Sequence, residues 1–336
     1  MTPFAYERAT SVADAVSRLA ADGAFLAGGT NLVDHLRLGL RTPTQIVDIS
    51  RLGLVDPALA QISRSADGLL RVGALVRNSD MAAHPLIRQH LPLVAQALLA
   101  GASGQLRNMA TTGGNLLQRT RCVYFQDLTT SCNKRAPGTG CSARDGFGRY
   151  NAVLGTSEAC VAVHPSDLCI SLAALDVVVV LQGRNGERRL PFADFHRLPG
   201  NTPDQDTQLA PGDLITALEI APLPLAAHSA YRKVRDRASY AFALVSVAAA
   251  LAVRDGIVSD VRLAFGGVSH KPHRALKAEA ALKGRPATHA AFLAAADAEL
   301  ADAQTGADNG FKLPLLRNTL AAVLGGLVAS AQGATA

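Results

Sequence analysis

Four of the five cysteines, Cys122, Cys132, Cys141 and Cys160, fall in one polar stretch with the spacing C-x9-C, C-x8-C and C-x18-C, and Cys169 follows. Thiols at such positions can cross-link, bind metal as thiolates, or attack as nucleophiles. Disulfides would suit an exported protein, but an odd total of five fits them poorly, and a chain of 336 residues needs no staples. Structural zinc prefers close C-x-x-C pairs, which this stretch lacks. An iron–sulfur cluster takes four thiolates and accepts wide spacing where a loop folds around it. The Gly, Pro and Thr of "RAPGTGC" suit such a loop, and Arg121, Lys134, Arg135 and Arg144 would offset its negative charge. The residues by themselves leave all three readings open.

Two glycine loops supply a second kind of chemistry. "LAGGTNL" over 26–32 joins an apolar run to a helical pattern. Glycine permits positive φ and close approach of a ligand to the backbone amides, which with a helix N-terminus suit a pyrophosphate. Taken alone, a GG pair reads more readily as a tight turn that binds nothing. "ATTGGNL" over 110–116 repeats the chemistry and adds the hydroxyls of Thr111 and Thr112 and the amide of Asn115. Two such loops on separate subdomains could grip one diphosphate. Neither fits the dinucleotide pattern G-x-G-x-x-G or the nucleotide pattern G-x-x-x-x-G-K-[ST].

The histidines offer less. Only His270 and His273, in "SHKPH", come close to metal spacing; the intervening proline bars a helical i, i+4 arrangement, and the segment reads as a surface loop. Cys169, in the apolar run "DLCISLAALDV", reads as a buried free thiol.

Composition limits the partners. With 49% hydrophobic and 18% charged residues the chain is globular, not disordered. The net charge of +6 is localised: Arg119, Arg121, Lys134, Arg135, Arg144 and Arg149 face only Asp127 and Asp145 in the same stretch, and "RKVRDR" over 232–237 is a second basic run. Most charge runs are solvated surface. Aromatic residues amount to 4% with no basic–aromatic alternation, so nucleic acid is not an expected partner, and phosphates or an anionic metal cluster are better ones. The apolar stretches 241–253 and 320–329 fall short of the roughly 20 residues of a membrane span. The N-terminal residues show no basic-then-apolar leader.

These residues need elements to hold them. The first 50 residues read as strand, helix, strand, helix, strand, with Thr10 or Ser11 capping the first helix and Thr30 or Asn31 opening the second. Hairpins are expected at Asp67-Gly68, Asn185-Gly186 and Asp255-Gly256. A long helix is expected over 79–102, a long loop over 197–213, a strand over 213–220, and helices over 274–283, 287–302 and 312–331.

The set "LAGGTNL", "RNMATTGGNL", "HPSDL", "YRKVRDRASYAFALVSVA", "PGDLITALEI" and "LAFGGVSHKPHRA" resembles the FAD-binding subunits of the xanthine dehydrogenase family of molybdenum hydroxylases, over essentially the whole chain. The resemblance implies an α+β chain: a two-subdomain FAD-binding fold of the PCMH/CO-dehydrogenase flavoprotein type plus a C-terminal α+β domain. The subdomains would span 1–55 and 56–225, with an insertion at 119–160, and the last domain 226–336. It further implies that Ala27, Gly28, Gly29, Thr30, Asn31 and Leu32 line the FAD pyrophosphate, with Thr111, Thr112, Gly114 and Asn115 in the second loop. Ser166 and Asp167 would hold the ribityl-phosphate region, and Lys233 would lie close to the flavin or else be an ordinary exposed lysine.

The loop "QRTRC…CNKR…GC…SEAC" is similar to that of the flavin subunits of periplasmic aromatic-aldehyde oxidoreductases, which implies a [4Fe–4S] cluster on Cys122, Cys132, Cys141 and Cys160. No catalytic side chain is expected, because cofactors carry this chemistry. The implied partners are a large molybdopterin subunit, a small subunit with [2Fe–2S] clusters and an external electron acceptor, without membrane insertion. The implied reaction is aldehyde oxidation in a heterotrimer, in the periplasm by co-export with a signal-bearing partner or, alternatively, in the cytoplasm. A hydroxybenzoyl-CoA reductase-like or xanthine dehydrogenase-like complex is the nearest alternative, and a flavin-free assembly protein with structural zinc is the alternative of a different class.

Overall fold

The computed structural model describes residues 1–333 and contains three sheets. The first is parallel, in the order β1 (Ala5–Arg8), β3 (Gln45–Asp48), β2 (Ala24–Leu26). Ser11 caps the helix Val12–Arg18, its hydroxyl accepting from Asp14 N at 3.0 Å, and Ala15 and Val16 turn inward against Val47. This is the strand and helix order read from the sequence.

The second sheet is antiparallel, in the order β4 (Ile62–Arg64), β5 (Leu70–Gly73), β8 (Leu214–Ile220), β6 (Val177–Gly183), β7 (Gly186–Pro191). Both of its hairpins turn at the expected dipeptides, with Gly68 at φ 89° and Gly186 at φ 107°. The single long helix expected over 79–102 is three helices, Asn78–Ala83, Pro85–His90 and Pro92–Ala100. Pro85 and Pro92 each open a new helix because proline lacks the N–H that the preceding turn would need, and it suits a first helical position.

The third sheet has the order β12 (His273–Arg274), β11 (Ile257–Gly266), β10 (Val245–Arg254), β9 (Ser229–Val234). The β10–β11 hairpin turns with Asp255 at φ 52° and Gly256 at φ 76°, two successive positive values of the kind that matches strand twist. Val245, Val247, Ala249 and Leu251 pack against the helices Leu276–Leu282, His289–Leu300 and Lys312–Gly333, while Ala248 joins the core of the second sheet. Burial on both faces explains why "SVAAALAV" is a continuous apolar run without alternation.

The helix Lys312–Gly333 is the one expected over 312–331 and extends beyond the apolar run 320–329, and by length and composition its Lys312–Ala331 portion could cross a membrane. Its buried Leu316, Leu320, Leu324 and Leu327 belong to the core of the third sheet, so it packs as a core helix. At its start Lys312 is fully buried, and its ammonium donates to the carbonyls of Asn151 at 2.8 Å and Gly267 at 2.7 Å.

Candidate functional site

A cavity of about 600 Å³ lies where the three sheets meet, within the size range of cofactor sites. Its wall includes Thr30 and Asn31 from the first glycine loop and Asn115 from the second. Ser166, Asp167 and Lys233 also face it, as do Arg121, Cys122, Phe147 and Tyr150 from the insertion. Leu98, Leu106, Val163 and Ile170 supply apolar surface, and Tyr240 and Phe242 add aromatic rings. Polar groups with the three arginines Arg107, Arg121 and Arg237 beside flat and apolar surfaces suit a ligand that combines an anionic centre with ring systems. FAD is such a ligand, so the donor set fits it.

The two glycine loops touch. A Cβ on Gly28 would sit 1.9 Å from the Met109 carbonyl oxygen, so the absence of a side chain there lets backbone pack on backbone. Gly29 takes φ 74°, and its carbonyl accepts from Val33 N at 3.0 Å to start the helix Leu32–Arg37. Asn31 precedes this helix without capping it, and its Oδ1 instead accepts from Arg121 Nη2 at 3.0 Å. Ala27, Gly28, Gly29 and Leu32 shape the turn but are not part of the cavity wall.

The second loop divides its residues between structure and ligand. Thr111 caps the helix Thr112–Leu116 by accepting from Gly114 N at 3.3 Å. Thr112 departs from its expected role: its N–H and its hydroxyl both donate to the Val76 carbonyl, at 2.9 and 3.0 Å, and it is fully buried. Neither donor is left for a ligand. Asn115 does face the cavity, and its Oδ1 accepts from Ser166 Oγ at 2.6 Å, joining the loop to the next helix.

That helix, Asp167–Ala173, is capped by Ser166, whose hydroxyl accepts from Cys169 N at 3.0 Å. Asp167 accepts from the Tyr231 hydroxyl at 2.6 Å and from Lys233 Nζ at 2.8 Å. Lys233 is therefore not an ordinary exposed lysine. It points inward from β9 and is only 3% exposed, while Arg232 beside it faces out. Burial pushes the Tyr231 phenol well above its usual range, and the Asp167 carboxylate adds to this. A lone buried carboxylate would be costly; here two donors satisfy it.

The insertion is held by charged side chains turned inward. Buried Lys134 donates to Asp206 at 2.5 Å and to the Pro203 carbonyl at 2.7 Å, and its ammonium lies 2.9 Å from His270 Nε2. Arg119 donates to the other Asp206 oxygen at 2.7 Å. Although burial works the other way, Lys134 and Arg119 hold the Asp206 carboxyl below its usual range. His270 is thus buried at the base of the insertion, contrary to the surface-loop expectation, because the lysine from the insertion reaches it.

All five thiols are free. Cys132 and Cys141 face each other as an isolated antiparallel bridge, and Gly138 and Gly140, at φ 84° and 98°, turn the chain between them. The four insertion thiols are close enough for their charges to interact: Cys132 and Cys141 with Cys122, and Cys141 and Cys122 with Cys160. Backbone N–H groups of Phe125 and Tyr124 point to the Cys122 sulfur, and Ala162 N lies 3.5 Å from the Cys160 sulfur. Burial pushes the Cys160 thiol up to about 11 and raises Cys122 in the same direction.

Against this geometry, the family model "FAD binding domain in molybdopterin dehydrogenase" matches residues 2–224, and "CO dehydrogenase flavoprotein C-terminal domain" matches 229–326. The chain belongs to the medium, FAD-binding subunits of the xanthine dehydrogenase family. This medium subunit is 50% identical over 328 residues to the aldehyde oxidoreductase FAD-binding subunit PaoB of Escherichia coli strain K12, covering 96% of this chain and 98% of that one. It is 29% identical to the glyceraldehyde dehydrogenase medium chain of Sulfolobus acidocaldarius, covering 84% and 82%. Among solved structures, carbon monoxide dehydrogenase from Hydrogenophaga pseudoflava, in a form lacking the Mo-pyranopterin moiety, superposes with a TM-score of 0.74 at 25% identity over 98% of both chains. The medium subunit is an α+β oxidoreductase subunit of this family.

Reading the sequence missed Arg121, Arg107 and Phe147 as cavity residues. The six-cation stretch 119–149 was the available signal for Arg121, but charge alone gave no direction to its side chain.

Proposed function

We propose that this chain is the electron-transferring medium subunit of a heterotrimeric molybdenum-dependent aldehyde oxidoreductase, holding FAD in the three-sheet cavity and a [4Fe–4S] cluster on Cys122, Cys132, Cys141 and Cys160. The observation that carries the reading is the shared wall: Cys122 of the insertion and Asn31, Asn115 and Asp167 of the flavin motifs line one cavity. Half of the residues match those of an aldehyde oxidoreductase subunit over nearly the full length, which favours aldehydes over other substrates of the family.

Thr30, Asn31 and Arg121 would face the anionic centre of FAD, with Gly28 and Gly29 holding the loop that presents them. Asn115, Ser166 and Asp167 would face its ribityl side, with Lys233 holding the Asp167 carboxylate in position there. Bound FAD supplies the two-electron acceptor chemistry, and the protein orients it and shields it from water. Four free thiols near enough for their charges to interact, with amides directed at Cys122 and Cys160, support a thiolate-bound cluster there. Cation binding would displace the protons that burial retains on Cys122 and Cys160.

A large molybdopterin subunit and a small [2Fe–2S] subunit would deliver electrons, and an external acceptor would remove them. Purified complex should contain one FAD and, beyond the iron and sulfide of the small subunit's [2Fe–2S] clusters, about four iron and four sulfide per copy of this chain. Zinc without iron or flavin would refute the reading, and iron in an amount unchanged by loss of Cys132 would refute the ligand set.

A further inference from the structure

A second group of soft donors lies outside the insertion. One ring nitrogen of His164, one of His196 and the Cys169 sulfur all lie within 4.8 Å of one another, and all three residues are buried. They come from three segments: the extended chain before Ser166, the helix Asp167–Ala173 and the end of the helix Phe192–Phe195. The two imidazoles meet edge-on with centroids 4.6 Å apart, and Phe192 and Phe195 pack against His196 at 5.4 and 4.8 Å.

The hydrogen bonding leaves one nitrogen of each ring without a partner. His196 Nε2 lies 2.9 Å from the Leu116 carbonyl oxygen, which can only accept, so Nε2 carries the proton and Nδ1 of the neutral ring is a bare lone pair. That Nδ1 is buried without a partner, as is Nε2 of His164. Unpartnered polar atoms in an apolar setting are costly and need an explanation. Fixing one ring nitrogen on a carbonyl is how metal-binding histidines are commonly oriented.

We propose that His164, Cys169 and His196 form a buried three-donor site for one monovalent soft ion, copper(I). Two neutral imidazoles and one thiolate match its softness and its tolerance of low coordination number. Charge selects the valence. Copper(I) with one thiolate is neutral overall, whereas a divalent ion would leave a net positive charge in an apolar core already facing the Lys134 cation. Binding replaces the thiol proton of Cys169, so one proton is released for each ion bound and no electron is transferred. Burial keeps both imidazoles neutral, with His196 held down to about 4. His164 is also part of the cavity wall, which gives the ion a path in from the flavin site.

The test is competition for copper(I) buffered by bicinchoninate, on the intact complex, comparing the natural chain with Cys169→Ser. The expected result is one more tightly bound copper in the natural chain and about a hundredfold weaker binding at that site in the variant, with iron and FAD contents equal in both. Equal copper in the two proteins, or one zinc retained in preference to copper, overturns the site. Copper-edge X-ray absorption of the natural complex does not depend on the variant folding. Two nitrogen scatterers and one sulfur are expected, and a shell of sulfur alone assigns the copper to the insertion thiols and overturns the proposal.

Discussion

Lys233 Nζ lies 2.8 Å from Asp167 Oδ2, with the two side chains 3% and 9% exposed, at the wall of a cavity that both help to form. The pair joins a strand of the third sheet to the first turn of the helix that carries "PSDL". Removing one partner leaves an unpaired buried charge, whereas removing both removes the conflict. Lys233→Met should therefore lose about 3 kcal/mol of stability. The double variant Lys233→Met/Asp167→Asn should recover part of it in urea unfolding; a double variant less stable than the single one would disprove the coupling.

Gly28→Ala places a methyl 1.9 Å from the Met109 carbonyl and must push the two loops apart. Overpacking of this kind costs about 1–3 kcal/mol. Thermal unfolding should fall accordingly, and FAD should be released at lower urea than the global transition. An unchanged melting temperature with unchanged FAD retention would contradict the contact.

The cysteines separate into two groups by metal analysis. Cys132→Ser and Cys160→Ser should each lose about four iron and four acid-labile sulfide per copy of this chain, leaving those of the small subunit, while Cys169→Ser loses none. Full iron in either of the first two variants removes that residue from the ligand set.

His35 carries a pH signature. It is buried, its ring meets Phe125 of the insertion edge-on at 6.3 Å, and burial together with Arg119 and Arg121 pushes its pKa down to about 4 from 6.5. Between those values the unfolded chain binds a proton that the folded chain does not, so stability is fully present above pH 6.5 and is lost as pH falls toward 4. Urea midpoints measured from pH 4 to 7 should fall less steeply for His35→Gln than for the natural chain. Parallel slopes would show that His35 is not held neutral.

Much of this was legible in the sequence. The hairpin dipeptides stated their own backbone conformation, and Ser11 and Ser166 stated their caps, because both signals are local. The glycine loops and "PSDL" could be recognised as motifs, but their roles divide only in space. Thr112 turns to Val76 and Gly28 to Met109, while Asn31 turns to Arg121 across 90 residues of chain. His164 and His196 lie far apart in sequence, and no helical or strand spacing relates them, so their meeting had no one-dimensional trace. The prolines at 85 and 92 were legible and were outweighed by the apolar pattern around them.

Lys312 opens the C-terminal helix and fastens it to the carbonyls of Asn151 and Gly267, two residues of the cavity wall. The far end of the chain thus acts as a clasp: one ammonium ties the insertion, at Asn151, to the chain just past β11, at Gly267, behind the surface that faces the ligand.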